Sequence, residues 1–143
     1  MSVTPRQAQA LRTWTFRVPT SEDAVPQARH TVQNAMIAWG LHPGSDIVYT
    51  MSVIASEVIT NAIRHTKLLT REVLVTVEVT HDYHVRLGVR DSHPFTPKAL
   101  TDPVDITNGR GLLIVRQLVT DAGGRTTIER HDIGKTIWVE MPC

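Results

Sequence analysis

Glu57, Asn61 and His65 stand four residues apart in the stretch Glu57-Val58-Ile59-Thr60-Asn61-Ala62-Ile63-Arg64-His65. Residues four apart are surface neighbours on an α-helix, so a carboxylate, an amide oxygen and a ring nitrogen form one row. The row runs beside an apolar strip of Ile47, Met51, Ile54, Ala55, Val58 and Ala62, which the spacing predicts to be buried. Such a row suits a hydrated Mg²⁺, an ion that keeps several waters and takes one or two protein oxygens plus substrate phosphates. Asn61 would be the metal ligand, and Glu57, one turn earlier, could accept a proton from an attacking hydroxyl or water. The competing expectation is an ordinary solvated edge of an amphipathic helix.

The elements that must position this row follow from periodicity. Residues 1–10 read as a flexible N-terminal arm and 11–143 as one domain. Thr13, Thr15 and Arg17 alternate with Trp14, Phe16 and Val18, as in a half-buried strand. Ser21, Glu22, Asp23 and Pro26 mark a helix start, with Ala28, Val32, Ala35, Met36 and Trp39 as its apolar stripe and Gly40 as its stop. Asp46 is the expected N-cap of the long helix that carries Glu57 and Asn61 and ends near Thr66. Alternating valines from Val73 to Val79, and Val85, Leu87 and Val89, predict a hairpin turning near His81-Asp82-Tyr83. Residues 92–108 contain three prolines and no period, which predicts a long irregular connection. A helix from Gly111 to Asp121, a Gly123-Gly124 turn and strands over 126–130 and 135–140 complete the chain. This order predicts an α+β, two-layer sandwich with one mixed sheet and helices on a single face.

Two further segments join the helix row. Asp91 ends the strand Val85-Arg86-Leu87-Gly88-Val89-Arg90, and Gly109-Arg110-Gly111-Leu112 opens the later helix. Helix row, strand-end Asp and Gly-rich helix start, in that order, resemble the Bergerat-type ATP-binding domain shared by gyrase, the heat-shock chaperone, sensor histidine kinases and mismatch-repair ATPases. The closest resemblance is to the small bacterial serine-kinase anti-sigma factors, and it spans nearly the whole chain. It implies ATP and Mg²⁺ as cofactors, Glu57 as catalytic base, Asn61 as metal ligand within the E-x-x-x-N-A-x-x-H helix that ends at His65, and Asp91 as the reader of adenine. It also implies that Gly109, Arg110, Gly111 and Leu112 lie under the phosphates, and that Thr136 supports Asp91 through water.

The residues suit those roles. Glycines allow close backbone approach, free N–H groups at a helix start attract phosphate, and Arg110 adds charge. Asp91 can accept the adenine amine, which would disfavour guanine, whose O6 is itself an acceptor. Where the family has D-x-G-x-G, this chain has Asp91-Ser92-His93-Pro94-Phe95, so His93 either moves away from the base or occupies part of its pocket.

Competing motifs fail on spacing. Gly134-Lys135-Thr136 resembles the end of a P-loop, but Glu129 stands where the earlier glycine is needed, and Ile114 stands where a dinucleotide fingerprint needs its third glycine. His30, His42, His81, His84 and His131 show no metal-ligand grouping, and the single Cys143 has no disulfide partner. A net charge of +1 with interspersed signs argues against direct nucleic-acid binding. No signal-peptide core and no apolar run of about eighteen residues are present, so a soluble, cytoplasmic protein is expected. The resemblance implies a homodimer that sequesters a sigma factor and phosphorylates a serine of an antagonist protein. A binding module with a weak or repurposed nucleotide pocket, or with another purine as ligand, is the alternative.

Overall fold

The computed structural model describes residues 10–66, 69–92 and 110–143, with side chains of the last segment described from Leu112 onward. Its elements are β1 (Ala10–Pro19), a 3-10 turn (Glu22–Ala24), α1 (Val25–Ala38), α2 (Asp46–Thr66), β2 (Glu72–Thr80), β3 (His84–Asp91), α3 (Arg110–Asp121), β4 (Arg125–Arg130) and β5 (Lys135–Pro142). The strands form a five-stranded sheet in the order β1-β2-β3-β5-β4. The expected α+β two-layer architecture holds, but every described strand pair is antiparallel, so the sheet is not mixed. The reason is the β4–β5 hairpin: α3 carries the chain to the edge, and β5 then returns antiparallel to β3.

Alternation decides which side chains meet the helices. Val73, Val75, Val77 and Val79 of β2, Val85, Leu87 and Val89 of β3, and Ile137, Val139 and Met141 of β5 are buried in one core with the helices. Opposite them, the outer face is held by polar cross-strand contacts. Arg86 donates to Glu78 at 2.8 Å and lies 4.3 Å from the Trp138 ring centre, while Trp138 Nε1 donates to Glu129. Gly88 lies directly beneath that ring.

The central helix α2 buries Val48, Met51, Ser52, Ile54, Ala55, Val58, Ile59, Ala62, Ile63 and Thr66, a wider arc than the single strip expected. Two of these are hydroxyl residues satisfied inside the helix: Ser52 donates to the Val48 carbonyl and Thr66 to the Ala62 carbonyl. Asp46 lies in the first turn of α2 itself instead of capping it. The helix predicted from Ser21 opens as the 3-10 turn before α1 begins, and Gly40, at φ +99°, ends it as expected. Trp14 departs most: it is 54% exposed although its register partner Val77 is fully buried. β1 is the edge strand, and beside Trp14 an open groove of about 310 Å³ separates it from Ala35 and Trp39.

Candidate functional site

Chain direction brings the predicted residues to one end of the molecule. Asp46 and Thr50 at the start of α2, Ala122 just past α3, and Pro142 and Cys143 line one shared depression. The opposite end therefore collects the C-terminal half of α2, the last residue of β3, the first of β5 and the N-terminus of α3. Asn61, Asp91, Lys135 and Arg110 belong to that end.

Along α2, Glu57 and Asn61 are half-buried and His65 is exposed. Neither Glu57 nor Asn61 has a hydrogen-bond partner among the described residues. α1 packs on the Ser56 edge, where Arg29 reaches the Ser56 hydroxyl, and α3 also packs against α2. Each four-residue step turns about 40°, so the row from Glu57 to His65 drifts away from the Ser56 edge. Arg64, in the same arc, is committed to Glu22 of the 3-10 turn at 3.0 Å.

Asp91 is 3% exposed and accepts a 2.7 Å hydrogen bond on Oδ2 from Lys135 Nζ, itself 2% exposed. The two are opposed in the β3–β5 register on the helix-facing side. Gly134, at φ +85°, precedes Lys135, and a side chain there would overlap the Asp91 carbonyl oxygen.

The expectation for Thr136 needs correction. Thr136 pairs with Arg90, one residue off the Asp91–Lys135 pair, and successive strand side chains point to opposite faces. It therefore stands on the outer face, where its hydroxyl lies 2.7 Å from His131 Nε2, and cannot support Asp91. Leu112 is buried on one strip with Val115 and Val119, so only its backbone is placed to meet a ligand. Arg110 opens α3 and Gly111 follows within it. His93, Gly109 and most of the 92–108 connection lie outside the described residues, as does the expected arm apart from Ala10, which already belongs to β1.

Lys135 is the residue that sequence reasoning missed. The signal was available: Lys135, Ile137, Val139 and Met141 share one face, as do Val85, Leu87, Val89 and Asp91, so opposite charges end two adjacent core-facing strips. No group of three or more His, Cys, Asp or Glu able to hold a metal occurs among the described residues.

The helix row, the strand-end carboxylate and the helix N-terminus at one end of a two-layer sandwich define a Bergerat-type ATPase fold. The family model for the histidine kinase-like ATPase domain matches residues 18–141, and the chain belongs to that family. Among curated proteins none matches significantly. Solved structures share the fold at low identity. The RsbU and RsbW domains of Rv1364c from Mycobacterium tuberculosis align with TM-score 0.64 and 16% identity over 92% of this chain and 32% of that one. The SiaB–SiaC complex from Pseudomonas aeruginosa gives 0.55 and 12% over 95% and 90%. A blue-light activated histidine kinase from Erythrobacter litoralis gives 0.57 and 20% over 87% and 61%. The chain thus spans less than two thirds of the histidine kinase and of Rv1364c. No helix among the described residues is long and apolar enough to cross a membrane.

Proposed function

We propose that this chain is an ATP-dependent regulatory serine kinase of the anti-sigma type. It would sequester a sigma factor, as a homodimer, and transfer the ATP γ-phosphate to a serine of an antagonist protein in the cytoplasm. The observation that carries the reading is the half-buried Glu57 and Asn61, without hydrogen-bond partners among the described residues, at the same end of the sandwich as Asp91 and the α3 N-terminus. Phosphoryl transfer needs positioning and neutralised oxygen charge more than covalent chemistry from the protein. Asn61 would hold Mg²⁺, which bridges and neutralises phosphate oxygens when bound. Gly109, Arg110, Gly111 and the backbone of Leu112 would receive the phosphates, Glu57 would take the proton of the attacking serine, and Asp91 would meet the base. His65 and His93 would border the nucleotide, His93 at the base.

A sequestering module with a repurposed purine pocket is the second reading, favoured by the engagement of Asp91 Oδ2 with Lys135. Incubation with radiolabelled ATP, Mg²⁺ and a candidate antagonist separates the two. Label on the antagonist's serine is expected; nucleotide binding without transfer to any antagonist that binds the chain would leave the module.

A further inference from the structure

The sheet has two edges, and they are built differently. β4 is six residues long and carries Arg125, Glu129 and Arg130, the short and charged build that discourages further strand pairing. β1 is ten residues long, and after an irregularity between Ala10 and Arg12 its pairing with β2 runs regularly to Pro19. Along that stretch alternate backbone N–H and C=O groups point away from β2, where no described strand meets them. Leu11 and Trp14 on this edge are more than half exposed. Trp14 forms one wall of the groove of about 310 Å³ whose other walls include Thr31, Asn34, Ala35 and Trp39. Cross-strand partners share a face, so Arg12, opposite Val79, and Trp14, opposite Val77, both stand on the helix side of the sheet. Arg12 is exposed and has no ion-pair or hydrogen-bond partner among the described residues, and the residues lining the groove are uncharged.

We propose that β1 accepts an extended segment of a partner protein as an added strand, one that sets an apolar side chain in the Trp14 groove and an acidic side chain opposite Arg12. The two side chains stand two residues apart on the incoming segment, because one face of a strand repeats every second residue. Main-chain hydrogen bonds to the edge supply affinity, while the groove and Arg12 select the sequence. A second copy adding its own β1 does not meet the requirement, since Ala10–Pro19 contains no acidic residue. The inference is independent of the nucleotide reading above.

The test uses the full chain with the peptide Thr-Val-Thr-Leu-Thr-Glu-Thr, for antiparallel addition, and its reverse, for parallel addition, followed by the fluorescence of Trp14 and Trp39. At least one of them is expected to bind with a Kd below about 1 mM. Exchanging its Glu for Lys should weaken binding by about tenfold, as attraction at Arg12 becomes repulsion. Arg12→Glu, a change at an exposed position, should reverse that preference. N-methylation of alternate peptide residues should abolish binding in one phase and spare it in the other, since only alternate N–H groups face β1. Binding of neither peptide, equal binding of the Glu and Lys forms, or indifference to the phase of N-methylation would overturn the proposal. A dimer that dissociates as peptide is added, seen by sedimentation, would also overturn it by placing a second copy on β1.

Discussion

Lys135→Met tests the Asp91 pair through stability, without any ligand. The substitution keeps the side chain's length and apolar stem but removes the ammonium, leaving a carboxylate that is 3% exposed without the partner 2.7 Å away. Breaking a buried pair by removing one member costs about 3–5 kcal/mol, because the remaining charge loses its ionic partner. With a urea slope of about 2 kcal/mol per M for a domain of this size, the midpoint should fall by about 1.5–2.5 M. The decisive comparison is the double variant Lys135→Met with Asp91→Leu, which removes both charges. Replacing a buried pair by apolar residues is often neutral or stabilising, so the double variant should recover most of the loss. Urea unfolding followed by far-UV circular dichroism measures all three proteins. A single variant within about 0.5 kcal/mol of wild type, the usual range for surface changes, would mean that the pair is solvated in solution. A double variant less stable than the single one would refute the charge argument and point to packing instead.

Asn61→Ala should weaken nucleotide binding only when Mg²⁺ is present, whereas Glu57→Ala should spare binding and slow phosphoryl transfer by roughly 10²–10⁴; titrations with and without Mg²⁺, beside a transfer assay, separate the two. Gly88→Ala would set a methyl group 2.6 Å from the Trp138 ring, so it should cost about 1–3 kcal/mol and change the tryptophan fluorescence as the ring shifts off Arg86. In the β2–β3 turn, the Thr80 hydroxyl, with His84 adding to it, holds the Asp82 carboxyl below its ordinary 3.8. A depressed carboxyl stabilises the fold while ionised, so its contribution is complete above about pH 4 and fades as pH falls through the lower folded value. Asp82→Asn should therefore flatten the acid limb of the stability curve below pH 4 and leave its slope at neutral pH unchanged, as acid titration by circular dichroism will measure.

Much of the frame was legible because a strand's period is short and local. Val73 to Val79 and Val85 to Val89 turned inward as their alternation predicts, and α2 ends at Thr66 as expected. Trp14 was not legible, since its alternation is correct but nothing local says that β1 is an edge with a groove beside it. The extent of α2 burial was hidden for a similar reason. Ser52 and Thr66 look polar in sequence, yet each spends its hydroxyl on its own helix and enters the core.

The sequence by itself determined the family, the element order and the row on one helix, because Glu57 and Asn61 are brought together by a single helical turn. Only the tertiary structure decided the rest. Asp91 and Lys135 are 44 positions apart, and their meeting depends on the register of β3 against β5. The same register sends Thr136 to the outer face, since a shift of one residue along a strand exchanges the two faces of the sheet. That pairing is set by the packing of whole strands against the helix layer, which no motif of a few residues can encode.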